Sequence, residues 1–101
     1  MSFGLKLNEE MILKEILNAH LRTGKVIVYG SRAKGTNTAR SDIDLVIKDS
    51  IDLNQNTIAE IKDSIDESDF PYLVDIQYYE QILNPDLVDH IDRVGKVFFE
   101  K

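Results

Sequence analysis

One stretch limits what this chain can fold into. Val26-Ile27-Val28-Tyr29 runs directly into Gly30-Ser31, a short basic segment with a second glycine follows, and the chain resumes with Ser41-Asp42-Ile43-Asp44-Leu45-Val46-Ile47. Lys25 to Tyr29 has the β-branched and aromatic content of a buried strand, and a glycine at its end lets the backbone turn sharply and approach a ligand closely. Side chains alternate along the second run, so Asp42 and Asp44 project from one side and Ile43, Leu45 and Ile47 from the other. Two carboxylates roughly 6 to 7 Å apart on one strand face repel each other unless a cation lies between them, and oxygen-only ligands suit Mg²⁺.

If Ser31 begins a short helix, its hydroxyl and the first free amides point at one place, where the helix dipole favours negative charge. Gly30-Ser31 then reads as a phosphate clamp. Taken singly, a Gly-Ser pair is an ordinary turn and an Asp-x-Asp an ordinary solvated strand end in a chain with 18 acidic residues. In this order they face a common turn, one supplying phosphate donors and the other metal ligands.

These residues resemble a known family. Gly30-Ser31, ten intervening residues, then Asp42-Ile43-Asp44-Leu45 is similar to the signature of the polymerase β type nucleotidyltransferases. Gly-Ser-Arg-Ala-Lys-Gly with Ser-Asp-Ile-Asp-Leu is especially similar to the minimal nucleotidyltransferases of prokaryotes. The resemblance implies an α/β or α+β nucleotidyltransferase fold in which a small mixed sheet is covered mainly on one face by helices. It also implies that Gly30 and Ser31 hold the β and γ phosphates, with Arg32 or Lys34 assisting.

The remaining sequence sets the frame. With 101 residues, 43% hydrophobic and no cysteine, residues 1–101 read as one compact domain without disulfides. A reducing cytoplasm fits that composition, and no apolar stretch is long enough for a signal peptide or a membrane span. A net charge of −6 argues against extended nucleic-acid binding, which needs clustered lysine and arginine. The main basic cluster, Arg32, Lys34 and Arg40, falls inside the motif loop. There it would either meet a nucleotide triphosphate or stand as solvated loop charge.

Asn8 with Glu9 and Glu10 reads as a helix start, and Leu13, Ile16, Leu17 and Leu21 recur at helical spacing up to Gly24. His20 lies beside that stripe and reads as a packed edge residue without a catalytic role. A second helix is expected from about Asn56 to Glu67 on Ile58, Ile61 and Ile65, after a polar stretch from Asp52 to Thr57 that can cap it. Pro71 blocks helix, and Tyr72 to Tyr79 reads as a third strand with Asp75 at its middle. An ionised aspartate there is costly unless its face is open to solvent, or it is paired or binds metal. The resemblance implies the last, making Asp75 the third carboxylate of an acidic triad. Asn84-Pro85-Asp86 reads as a cap with proline at the first helical position of a short helix ending at Gly95. Lys96 to Glu100 is a last apolar run, either a strand or a tail on the sheet edge, whose aromatics could equally face a partner.

The expected chemistry follows from the acids. Two Mg²⁺ ions on Asp42, Asp44 and Asp75 would bridge ATP and an attacking hydroxyl in an in-line displacement at the α-phosphorus, with Asp75 placed to orient or deprotonate the acceptor. Larger relatives carry an added acceptor domain for which 101 residues leave no room, so another chain is expected to supply the acceptor. The resemblance implies an antitoxin that transfers AMP to a tyrosine of a small all-helical HEPN toxin. The alternatives are the catalytic subunit of a two-chain transferase acting on a small molecule such as an aminoglycoside, and a non-catalytic module that neutralises its partner by contact.

Overall fold

The structure is a computed structural model that describes residues 3–36, 38, 41–51 and 54–101; Arg40 and the beginning of the polar stretch at Asp52 lie outside the described residues. Helix α1 spans Leu7–His20, strand β1 Lys25–Tyr29, the short helix α2 Ser31–Lys34 and strand β2 Ile43–Lys48. Helix α3 covers Gln55–Glu67, strand β3 Val74–Tyr78, helix α4 Pro85–Val94 and strand β4 Lys96–Glu100, with a single 3₁₀ turn at Tyr79–Gln81.

The strands form one sheet in the order β3-β2-β1-β4. β1 is antiparallel to both β2 and β4, whereas β2 and β3 run parallel, joined by the crossover through α3. The sheet is therefore mixed, as expected, and the last apolar run is one of its two edge strands, β3 being the other.

Each face follows from alternation along the strands. Val26, Val28, Leu45 and Ile47 are shielded from solvent against the apolar sides of α1 and α3, where Leu13, Leu17 and Ile61 are also fully buried. Each such side chain contributes about 1.5 to 3 kcal/mol relative to exposure. His20 ties these helices together, with its Nε2 3.0 Å from the Ser64 hydroxyl and its Nδ1 3.5 Å from the Glu60 carboxylate. On the opposite face α4 lays Ile91 against Tyr29 and Val46 and covers only part of the sheet. The uncovered part carries the acids.

Several boundaries differ from expectation for local reasons. α1 starts after Lys6 rather than Asn8, because the Glu9 carboxylate accepts the Lys6 backbone N–H at 2.8 Å and closes the first turn there. It ends at His20; Gly24 instead exchanges two backbone hydrogen bonds with Lys101, at 3.0 and 2.9 Å, and opens the sheet. α3 begins one residue early because the Asn54 side chain caps it, accepting from the Asn56 N–H at 2.8 Å. β3 begins at Val74 rather than Tyr72, and the Tyr72 side chain serves a different purpose described below.

Candidate active site

Tyr29, the last residue of β1, is the register partner of Asp44 on β2, and Asp44 is in turn the register partner of Asp75 on β3. Neighbouring strands lie about 4.8 Å apart, so the two carboxylates leave the same face side by side. Asp42 is exposed immediately before β2, two residues from Asp44. The three expected acids thus gather at one end of the sheet.

The turn after Tyr29 is fitted to Asp44. Gly30 has φ +75 and ψ −154, a conformation that L side chains rarely adopt, and a Cβ added there would lie 2.5 Å from the Asp44 Oδ2. The backbone conformation favours glycine, and a Cβ would displace the Asp44 carboxylate. Ser31 then opens α2, whose turn is closed by the Lys34 N–H on the Gly30 carbonyl (3.1 Å) and the Thr36 N–H on the Ser31 carbonyl (3.0 Å). Lys34 is exposed in the last turn of α2.

Arg32 corrects an expectation. It is 2% exposed, and its guanidinium is used inside the fold rather than offered to a phosphate. Nε and Nη2 both donate to the Ser41 carbonyl, at 3.1 and 2.7 Å, Nη1 donates to the Phe3 carbonyl at 2.9 Å, and the group lies 4.4 Å from the centre of the Tyr72 ring.

Crowding of like charge shows in the protonation equilibria. The Asp44 carboxyl is pushed above its ordinary value of 3.8, first by burial and then by the negative charges of Asp75 and Asp42, with His90 on α4 working in the opposite direction. The Tyr29 hydroxyl is likewise raised, by burial and by Asp44 and Asp75, although a hydrogen bond from Gln77 counteracts this. Gln77 Nε2 donates to that hydroxyl at 3.1 Å, and the His90 ring stands edge-on to Tyr29 at 6.2 Å between centroids. Tyr29, Gln77 and His90 are thus neighbours of the acids that sequence reasoning did not single out. Gln77 was within reach of it, since two residues past Asp75 on a strand is the same face; His90 arrives on a distant helix and has no local signal.

Among the described residues, no three carboxylate or imidazole groups converge to hold a metal ion unaided. The donor set nevertheless suits Mg²⁺, which is usually bound through one or two carboxylates and completed by substrate phosphates and water. A hollow of about 220 Å³, lined by His20, Leu21, Arg22, Ser50 and Thr57, lies at the opposite end of the strands and away from the acids.

The sheet is thus mixed, and the glycine-serine turn at the end of β1 faces Asp44 and Asp75 on the neighbouring strands. Residues 12–101 match the model of the polymerase beta nucleotidyltransferase family, and the chain belongs to that family. A comparison with curated proteins gives no match. Among solved structures, the chain is similar to a chain of a toxin–antitoxin complex with AMP-PNP (24% identity, TM-score 0.66, covering 94% of this chain and 75% of that one). It is also similar to a chain of the tri-AMPylated Shewanella oneidensis HEPN toxin in complex with MNT antitoxin (16%, TM-score 0.68, 96% and 74%). A third likeness is to a chain of the toxin–antitoxin MntA-HepT (17%, TM-score 0.64, 95% and 74%). At these identities the likeness is one of fold.

Proposed function

We propose that this chain is a Mg²⁺-dependent nucleotidyltransferase that moves AMP from ATP to a hydroxyl of a partner protein, a tyrosine of a HEPN-type toxin, and thereby acts as its antitoxin. The observation that carries the catalytic part is the placement of Asp44 in register with Asp75 beside the bare backbone of Gly30. The partner and the nucleotide are supported by the similar folds found in toxin–antitoxin complexes, one with AMP-PNP and one with a tri-AMPylated HEPN toxin.

Asp42, Asp44 and Asp75 would hold up to two Mg²⁺ ions, which when bound neutralise charge on the triphosphate and the attacking oxygen. Gly30 and Ser31 receive the β and γ phosphates through backbone amides and the Ser31 hydroxyl, and the exposed Lys34 adds positive charge at the rim. Asp75, exposed on the edge strand, accepts the proton of the acceptor hydroxyl. The acceptor oxygen forms its bond to the α-phosphorus as the bond from that phosphorus to the β-phosphate oxygen breaks, and pyrophosphate leaves. We place this chemistry in the cytoplasm, where ATP is present; among the described residues no helix is long and apolar enough to cross a membrane.

The test is co-expression of a neighbouring helical partner with the wild-type chain and with the Asp42→Asn, Asp44→Asn double variant, followed by intact mass and activity of the partner. An AMP mass increment and loss of partner activity with wild type alone are the expected result. Full silencing by the double variant without a mass increment would make this chain a contact antitoxin instead.

A further inference from the structure

We infer that Arg32 is a positioning residue whose buried guanidinium sets the place of Asp42 and Asp44 relative to the Gly30-Ser31 turn. The inference rests on the nucleotidyl transfer proposed above and adds to it a residue that touches neither nucleotide nor metal.

Three segments meet at this one group. Arg32 itself sits in α2, one residue past Ser31, and so moves with the turn. Ser41, which accepts two of its hydrogen bonds, directly precedes Asp42. The peptide unit joining them is planar, so fixing the Ser41 carbonyl also fixes the orientation of the Asp42 N–H. Tyr72, whose ring lies under the guanidinium, stands at the entrance to the strand that carries Asp75. The two strand entrances are further joined by the Ile43 N–H donating to the Leu73 carbonyl at 2.9 Å.

The chemistry of the group argues for geometry rather than stability. Burying a cation costs several kcal/mol unless its donors are satisfied, and an apolar side chain of similar volume is often as stable or more so. Among the described residues Arg32 has no carboxylate partner; its charge is met by two carbonyl dipoles and an aromatic face. Phe3, the source of the second carbonyl, has φ +56, a left-handed conformation that L residues other than glycine disfavour. A planar fork with donors in fixed directions holds an angle between segments in a way that a lysine ammonium or a thioether does not.

The test compares wild type with Arg32→Lys, Arg32→Met and Tyr72→Leu, the last keeping the hydrogen bonds and removing only the ring. Amide hydrogen exchange on the chain without ligands should quicken about tenfold or more at Ile43 and its neighbours in the arginine variants, while Val46 and Ile47 keep wild-type protection. In calorimetric titrations, ATP binding should need several times more Mg²⁺, yet the affinity at saturating Mg²⁺ should stay within about threefold. Tyr72→Leu should shift both readings in the same direction and by less. Wild-type exchange at Ile43 in Arg32→Met overturns the inference. So does a loss of ATP affinity at saturating Mg²⁺ with no change in the Mg²⁺ requirement, which would make Arg32 a phosphate ligand. If the arginine variants do not fold, Tyr72→Leu decides alone, and unchanged exchange at Ile43 overturns the inference. Failure of wild type to transfer AMP would instead count against the proposed function and would leave the exchange result readable.

Discussion

The two faces of the sheet are built by the same strands, one residue out of phase, and they are used in opposite ways. Val26, Val28, Leu45 and Ile47 meet α1 and α3 in the apolar core and are closed to solvent. Tyr29, Asp44, Asp75 and Gln77 stand on the other face, where α4 covers part of the sheet and leaves carboxylates crowded at one end. The first face supplies folding free energy. The second spends some of it, since like charges held together raise the free energy of the folded chain until a cation arrives. Stability and chemistry are thus separated by strand parity, and substitutions on the two faces should fail differently.

The largest effect is expected where the turn touches the acids. Gly30→Val places a Cβ 2.5 Å from Asp44 Oδ2, which displaces that carboxylate, and forces a disfavoured φ, so transfer and Mg²⁺-dependent ATP binding should fall below detection. The thermal midpoint should drop by about 5 to 20 degrees, a smaller loss than that of binding; ATP titration and melting of the same sample check the pair of outcomes. Asp44→Asn should reduce transfer about a hundredfold to a thousandfold and at the same time leave the metal-free fold as stable as wild type or more so. A variant that kept full transfer would remove Asp44 from the site.

Leu13→Ala tests the other face. Loss of a fully buried leucine there should cost about 2 to 5 kcal/mol in denaturant unfolding, while the folded fraction binds MgATP as wild type does. Weakened MgATP binding in that variant would break the separation between the faces.

The smallest effect is in pH dependence. The folded-state value for Asp44 is raised above 3.8, so its contribution favours the fold below that pH and is lost as pH rises through the raised value. The melting temperature of Asp44→Asn relative to wild type should therefore climb as pH rises above about 4. Mg²⁺ should shrink the difference by stabilising wild type. A gap that is independent of pH would mean that neither the burial of Asp44 nor its neighbouring carboxylates weigh on the fold.

The parts legible in the sequence were those that local periodicity controls. β-branched runs marked β1 and β2, and Asn84-Pro85 marked the start of α4. Arg32 was misread because a sequence shows charge and not burial. An arginine between a phosphate-type turn and two aspartates suggests an anion ligand, but its partners are the Ser41 carbonyl together with a carbonyl at Phe3 and a ring at Tyr72, the last two remote in sequence. His90 escaped for the same reason, being brought to Asp44 only by the packing of α4. The start of α1 was misplaced because the Asn8 side chain suggested a cap while the Glu9 carboxylate, reaching back to Lys6, provides one.

The antiparallel register of β1 with β2 has a consequence for how the chain folds. Tyr29 meets Asp44 across a single loop, whereas Lys25 must wait for Glu100. Contacts between near neighbours in sequence form with the smaller loss of chain entropy, so the β1–β2 hairpin is the favoured early nucleus, and its connection is the very loop that bears Gly30, Ser31 and Asp42. The segment proposed for chemistry is therefore also the segment whose closure starts the sheet, and its sequence answers to folding speed as well.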